Sequence, residues 1–99
     1  EAMAMRQTFG DHTPRIAVTS TKSMTGHLLG AAGGAEAVFG ILSIHHGVVP
    51  PTINLDDPEA GLGIDIVAGA PRETRARSVL SNSFGFGGTN GTVIFRRLD

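Results

Sequence analysis

The run Lys22-Ser23-Met24-Thr25-Gly26-His27 sets a cation and an imidazole close together in the chain. These two residue types can face a developing anion, lysine as a compact point charge and histidine as a hydrogen-bond donor. Residues 28–46 behind them are rich in glycine and alanine and read as a helix. A helix beginning near Thr25 or Gly26 would leave its first amide N–H groups unpaired and aim the positive end of its dipole at the same spot. His27 falls in that predicted first turn. A positive helix end disfavours a second positive charge, which predicts a neutral imidazole donating one N–H to an oxygen. Such a donor can stabilise an enolate or a thioester oxyanion.

Glu36 lies farther along the same predicted helix. A carboxylate in so apolar a stretch needs a partner if it is buried, and Lys22 is the partner expected. A solvent-facing Glu36 is the alternative. His45 and His46 point about 100° apart on a helix and are poorly placed to chelate one ion. They read as surface histidines near a helix C-terminus, where positive charge is favoured. His12 sits in a turn, and no metal site is predicted. The loop Phe84-Gly85-Phe86-Gly87-Gly88 is not a dinucleotide fingerprint, because Asn90 stands where the third glycine of G-x-G-x-x-G belongs. No Gly-Lys-Ser/Thr follows, which excludes a P-loop. Glycines on both sides give Phe86 freedom to swing; the alternative is a packed aromatic on a tight hairpin.

Positioning these groups requires a strand, a helix and a hairpin. Residues 16–20 are rich in β-formers and would deliver Lys22 and His27 to the carboxyl end of a strand, where α/β sheets hold their ligands. Gly26, Gly30, Gly33 or Gly34, Ala37 and Gly40 recur at three- and four-residue steps, giving the helix a stripe without bulk. Each glycine costs about 0.8–1 kcal/mol of helix propensity relative to alanine, so close, central packing is expected to offset it. Gly47 would close the helix and Pro50-Pro51 prevent its resumption. Residues 1–9 read as a helix with Ala2, Met3, Met5 and Phe9 on its apolar side, ended by Gly10 and the turn-formers 11–14. Residues 64–67 alternate as a half-buried strand, and 71–77 read as a solvated loop. Residues 78–82 and 92–95 form two predicted strands, an antiparallel pair joined by the loop 85–91.

Composition narrows the function classes. A net charge of −1 and a pI near 6.5 provide no basic footprint for nucleic acid. Apolar stretches fall short of the roughly 18 residues a membrane-spanning helix needs, and no signal-peptide pattern opens the chain. A soluble protein is expected. The chain contains no cysteine, which removes disulfides and thiolate metal sites from it.

The run Thr19-Ser20-Thr21-Lys22-Ser23-Met24-Thr25-Gly26-His27-Leu28-Leu29-Gly30-Ala31-Ala32-Gly33 resembles the lysine–histidine motif of β-ketoacyl-acyl-carrier-protein synthases. Pro50-Pro51-Thr52-Ile53-Asn54-Leu55 is similar to the turn after that family's helix, and Asn82-Ser83-Phe84-Gly85-Phe86-Gly87-Gly88-Thr89-Asn90-Gly91 to its C-terminal glycine-rich loop. All three occur in the family's order. The wording Lys-Ser-Met-Thr-Gly-His resembles the dissociated fatty-acid elongating synthases. Modular polyketide synthases usually carry a Lys-Ser-Asn-Ile-Gly-His type of run.

The resemblance implies an α/β chain, the C-terminal part of a thiolase-like fold of αβαβα layers, with a mixed sheet and a central Gly/Ala-rich helix. Residues 1–99 would be a fragment of one ketosynthase domain, its acyl-carrying cysteine and second histidine lying outside. Implied catalytic residues are His27 and Lys22, with Glu36 supporting Lys22. The loop Phe84 to Gly88 would gate the acyl pocket through Phe86, whose amide would contribute to an oxyanion hole. The implied reaction is decarboxylative condensation of malonyl-carrier protein with an enzyme-bound acyl group. No metal, nucleotide or flavin is implied, because the substrates ride on the phosphopantetheine of acyl carrier protein. A cytoplasmic homodimer is expected, with the fragment alone inactive. The alternatives are a polyketide ketosynthase and a catalytically silent partner such as a chain-length factor.

Overall fold

Glycines and prolines punctuate short elements along residues 1–99, all of which the computed structural model describes. The elements gather into two units, Glu1–Met24 with Val49–Arg72, and Thr25–Val48 with Glu73–Asp99.

In the first unit, α1 (Ala2–Phe9) fills the predicted helix. Ala2, Met5 and Phe9, spaced three and four apart, form its half-buried face, whereas Met3 is exposed. A 3₁₀ stretch, Gly10–Arg15, follows and buries Thr13, whose hydroxyl donates to the Gly10 carbonyl at 2.7 Å. The predicted strand at 16–20 shortens to β1 (Ala17–Val18), because its parallel partner β3 (Asp65–Ile66) offers only two residues. Ala17 pairs with Asp65 and Val18 with Ile66. The Val67 N–H continues the ladder to the Val18 carbonyl at 2.9 Å, and Thr52 bridges Ala68 in parallel. Val67, 1% exposed, is the only fully buried large side chain of the protein.

The chain passes between units through α2 (Lys22–Thr25), β2 (Val48–Val49) and β4 (Arg72–Glu73). Residues 71–77 are therefore not a plain loop. Arg72 and Glu73 form the strand β4, and the Arg72 guanidinium has a carboxylate partner described below.

In the second unit a 3₁₀ turn, Leu29–Ala31, leads into α3 (Ala32–His46). The helix starts later than the sequence predicts. Gly26 at φ +76° and Leu29 at φ +52° both adopt left-handed backbone, which no continuous right-handed helix can pass through. Gly47 ends α3 as predicted, in the left-handed conformation at φ +68°, its N–H donating to the Ser43 carbonyl at 2.9 Å. The hairpin is longer than predicted: β5 (Ser78–Phe84) pairs antiparallel with β6 (Asn90–Arg96), from Ser78↔Arg96 to Phe84↔Asn90. Its loop tightens accordingly, with the Gly85 N–H donating to the Thr89 carbonyl at 2.7 Å.

α3 packs against this hairpin most closely at Gly40, where a Cβ would stand 2.8 Å from Cγ1 of Val79. Gly30 and Gly34 face open space. The glycine stripe thus permits close approach at one point within this chain and not along its length. Only Ala32, Ser43 and Ile44 of α3 are buried, and Val38, Ile41 and Leu42 are exposed. The deep burial expected of this helix is not supplied by residues 1–99 alone.

Candidate active site

Lys22 opens α2 in the first unit and is half-buried. Hydroxyl side chains hold the chain on both sides of it. Thr19 Oγ1 donates to the Pro50 carbonyl at 2.7 Å and lies 3.3 Å from Thr52 Oγ1, which accepts the Ser20 N–H at 2.9 Å. Ser23 Oγ donates to the Ser20 carbonyl at 3.0 Å and accepts the Ile53 N–H at 3.0 Å. Sequence reasoning passed over these hydroxyls. The signal was the density of serine and threonine over 19–25 together with Thr52 beside Pro50-Pro51.

His27 belongs to the second unit, in the connector between α2 and the 3₁₀ turn, and is exposed. It is not in the first turn of a helix, so the dipole argument for its charge state does not apply at that position. A direct hydrogen bond takes its place: the Leu29 N–H donates to Nδ1 of His27 at 2.9 Å. A nitrogen that accepts carries no proton, so the imidazole proton sits on Nε2. In this arrangement the ring offers Nε2–H as its donor. Leu29 makes this bond from left-handed backbone, which for a branched residue costs of order 1–3 kcal/mol and persists only where surrounding structure enforces it.

Glu36 lies on α3 and is half-buried, neither sealed in a core nor fully solvated. Gly33, near the start of α3, faces Ser83 at the base of the hairpin loop, a Cβ there lying 3.7 Å from the serine Oγ. The loop itself stands clear. Phe86 is fully exposed and Phe84 more than half exposed, while Gly87 and Gly88 take φ near +85°. The packed-aromatic alternative for Phe86 is not realised within this chain. His45 and His46 are exposed at the end of α3 with rings nearly perpendicular, as surface histidines.

The best-defined ion pair joins strands β3 and β4. Arg72 donates to both carboxylate oxygens of Asp65, at 2.5 and 3.0 Å, a fork-on-fork arrangement. The hydrogen bond to Asp65 holds the guanidinium pKa above its ordinary value. A second pair joins Arg77 to Asp99 on the surface.

The fold of this chain is shared with solved ketosynthases. The chain superposes with a TM-score of 0.93 and 32% identity on the structure described as "AntDE:AntF (apo): type II PKS acyl-carrier protein in complex with its ketosynthase bound to the hexaketide", over 99% of its own length and 24% of that chain. The ishigamide ketosynthase/chain length factor gives 0.89 and 35%, over 100% and 24%. The fold is therefore α/β, the C-terminal part of the thiolase-like ketosynthase fold. The family described as "Beta-ketoacyl synthase, C-terminal domain" matches residues 1–56. Similar proteins include 3-oxoacyl-[acyl-carrier-protein] synthase 2 of Coxiella burnetii, 54% identical over 99% of this chain, and synthase 1 of Escherichia coli K12, 46% identical over 99%. The chain belongs to the β-ketoacyl synthase family and spans about a quarter, 24%, of the length of each of these two relatives.

Proposed function

We propose that the protein containing this chain is a 3-oxoacyl-acyl-carrier-protein synthase of the fatty-acid elongating kind. The observation that carries the reading is the His27–Leu29 hydrogen bond, because it leaves Nε2–H of the motif histidine as a fixed donor. An acyl group moves from a carrier protein's pantetheine to a cysteine supplied by the rest of the protein. Malonyl-carrier protein then loses carbon dioxide, and the electron pair of the broken bond delocalises onto the thioester oxygen as an enolate. His27 donates to that oxygen, as does a second histidine outside this chain, each such donor being typically worth about 2.7–4 kcal/mol of barrier. The carbanion attacks the acyl thioester and the cysteine thiolate leaves.

Lys22 organises the local field, with Glu36 as its partner. Phe86 gates the acyl pocket from the loop Phe84 to Gly88, and its amide contributes to the oxyanion hole for the acyl carbonyl. Full exposure of Phe86, followed by left-handed Gly87 and Gly88, supports a movable gate. Acyl carrier protein is the partner and brings both substrates on phosphopantetheine, with no further cofactor required. The whole protein acts as a cytoplasmic homodimer, and this chain alone does not condense. No helix of the chain is long and apolar enough to cross a membrane. Higher identity to the 3-oxoacyl-[acyl-carrier-protein] synthases than to the type II PKS ketosynthase favours the fatty-acid pathway.

The test is to supply the full-length protein with acyl- and malonyl-carrier protein. Equal yields of carbon dioxide and 3-oxoacyl-carrier protein are expected. A full-length protein that binds both substrates and forms neither product is a silent partner, and the reading fails.

A further inference from the structure

Lys22 is bracketed by two residues tied to one dipeptide. Before it, Ser20 donates its N–H to Thr52 Oγ1, and after it, Ser23 Oγ accepts the N–H of Ile53. Proton accounting fixes the direction of the remaining contact. Thr19 already gives its hydroxyl proton to the Pro50 carbonyl, so at the 3.3 Å contact Thr52 is the donor and Thr19 the acceptor. The Thr52 hydroxyl therefore accepts from Ser20 and donates to Thr19, with both of its functions engaged. Thr52 is itself anchored: its N–H donates to the Val67 carbonyl at 2.7 Å, and its carbonyl accepts the Gly69 N–H at 3.1 Å. Val67 is the most deeply buried side chain of the protein. A continuous set of hydrogen bonds, all within the first unit, thus runs from Val67 through Thr52 to Ser20.

We infer that Thr52 is a positioning residue for Lys22: its hydroxyl, seconded by the Ser23–Ile53 bond, fixes the backbone from which the lysine extends. A flexible four-carbon side chain can hold its ammonium in one place only if its root is held, and displacement of about 1 Å at a site can cost 10²-fold in rate. The inference rests on the role proposed for Lys22, so its test reads the backbone and the chemistry separately.

In the full-length protein, Thr52→Val keeps the shape and removes the hydroxyl. Hydrogen exchange of the amides at 20–24 should become faster. Malonyl-carrier protein decarboxylation should fall about tenfold while acyl transfer to the nucleophile stays within about twofold, and Thr52→Ser should restore both the amide exchange and the decarboxylation. In a Lys22→Met background the Thr52→Val change should alter decarboxylation by less than about twofold, since its effect runs through Lys22. Unchanged exchange at 20–24 in Thr52→Val overturns the inference, as does a tenfold loss that persists without Lys22. Acyl transfer falling in step with decarboxylation would make Thr52 a general structural residue and also overturn it. Natural decarboxylation in Lys22→Met alone would instead refute the role given to Lys22, and exchange at 20–24 would still decide whether Thr52 holds that segment.

Discussion

The Leu29 N–H reaches Nδ1 of His27 at 2.9 Å from a backbone at φ +52°. A left-handed residue and the tautomer of the imidazole two residues earlier thus meet at one amide, which fixes the ring before the chain turns into the 3₁₀ stretch. In the full-length protein, His27→Ala should lower malonyl decarboxylation by about 10²–10³-fold, the loss seen when one oxyanion donor is removed. Acylation of the nucleophile should stay largely intact, since in the proposed mechanism the imidazole serves the enolate. Equal damage to both half-reactions would show that His27 has another role.

Glu36→Gln removes a charge at a half-buried position on α3. Breaking a fully buried pair commonly costs about 3–5 kcal/mol, and partial solvation should hold the loss here to about 3 kcal/mol or less. Melting temperature and turnover of the full-length protein should fall together. Natural values of both in the glutamine variant would mean that Glu36 only faces solvent.

For Phe86 the question is gate or packing. Truncating a buried phenylalanine costs about 3–5 kcal/mol, whereas an exposed change stays within about 0.5 kcal/mol. With Phe86 fully exposed in this chain, Phe86→Ala should leave melting nearly unchanged and weaken the dependence of malonyl decarboxylation on prior acylation. Decarboxylation measured with and without acyl loading reads the second effect. An early-melting variant that keeps the natural dependence ends the gate proposal.

Gly40→Ala sets two effects against each other. Alanine gains about 1 kcal/mol of helix propensity, but its Cβ would fall 2.8 Å from Cγ1 of β-branched Val79. Overpacking typically costs about 1–3 kcal/mol, so net destabilisation is expected. Val79→Ala should relieve the overlap, and a double-mutant cycle on thermal unfolding should return a coupling of about 1 kcal/mol. Strict additivity would show that the helix and hairpin shift apart freely.

The Arg72–Asp65 pair has a defined pH signature. Asp65 raises the Arg72 pKa above its ordinary value, and a base whose folded pKa is raised contributes stability that is complete below the unfolded value. That contribution is lost only as pH rises through the folded value. The melting difference between the natural protein and Arg72→Gln should therefore stay flat from neutral pH to about pH 10. A difference that fades within that window would assign the effect to another group.

What the sequence determined by itself is local or chemical. The lysine–histidine motif, the glycine end of α3, the helix over Ala2–Phe9 and the β5–β6 hairpin all follow from spacing and turn chemistry carried by adjacent residues. The helix start expected to keep His27 neutral is not there: His27 lies ahead of α3, and its ring is fixed by the Leu29 N–H. Only the tertiary structure decided the rest, because it depends on partners distant in the chain or on backbone twists with no residue signature. Leu29 in left-handed backbone delays α3 to Ala32, and no rule of propensity places a leucine there. Arg72 finds its carboxylate in Asp65 on another strand, and Lys22 is framed because Thr52 and Ile53, some thirty residues away, meet Ser20 and Ser23. Hydrogen bonds between such distant residues form only after the fold has brought them together, and the order of residues alone does not encode them.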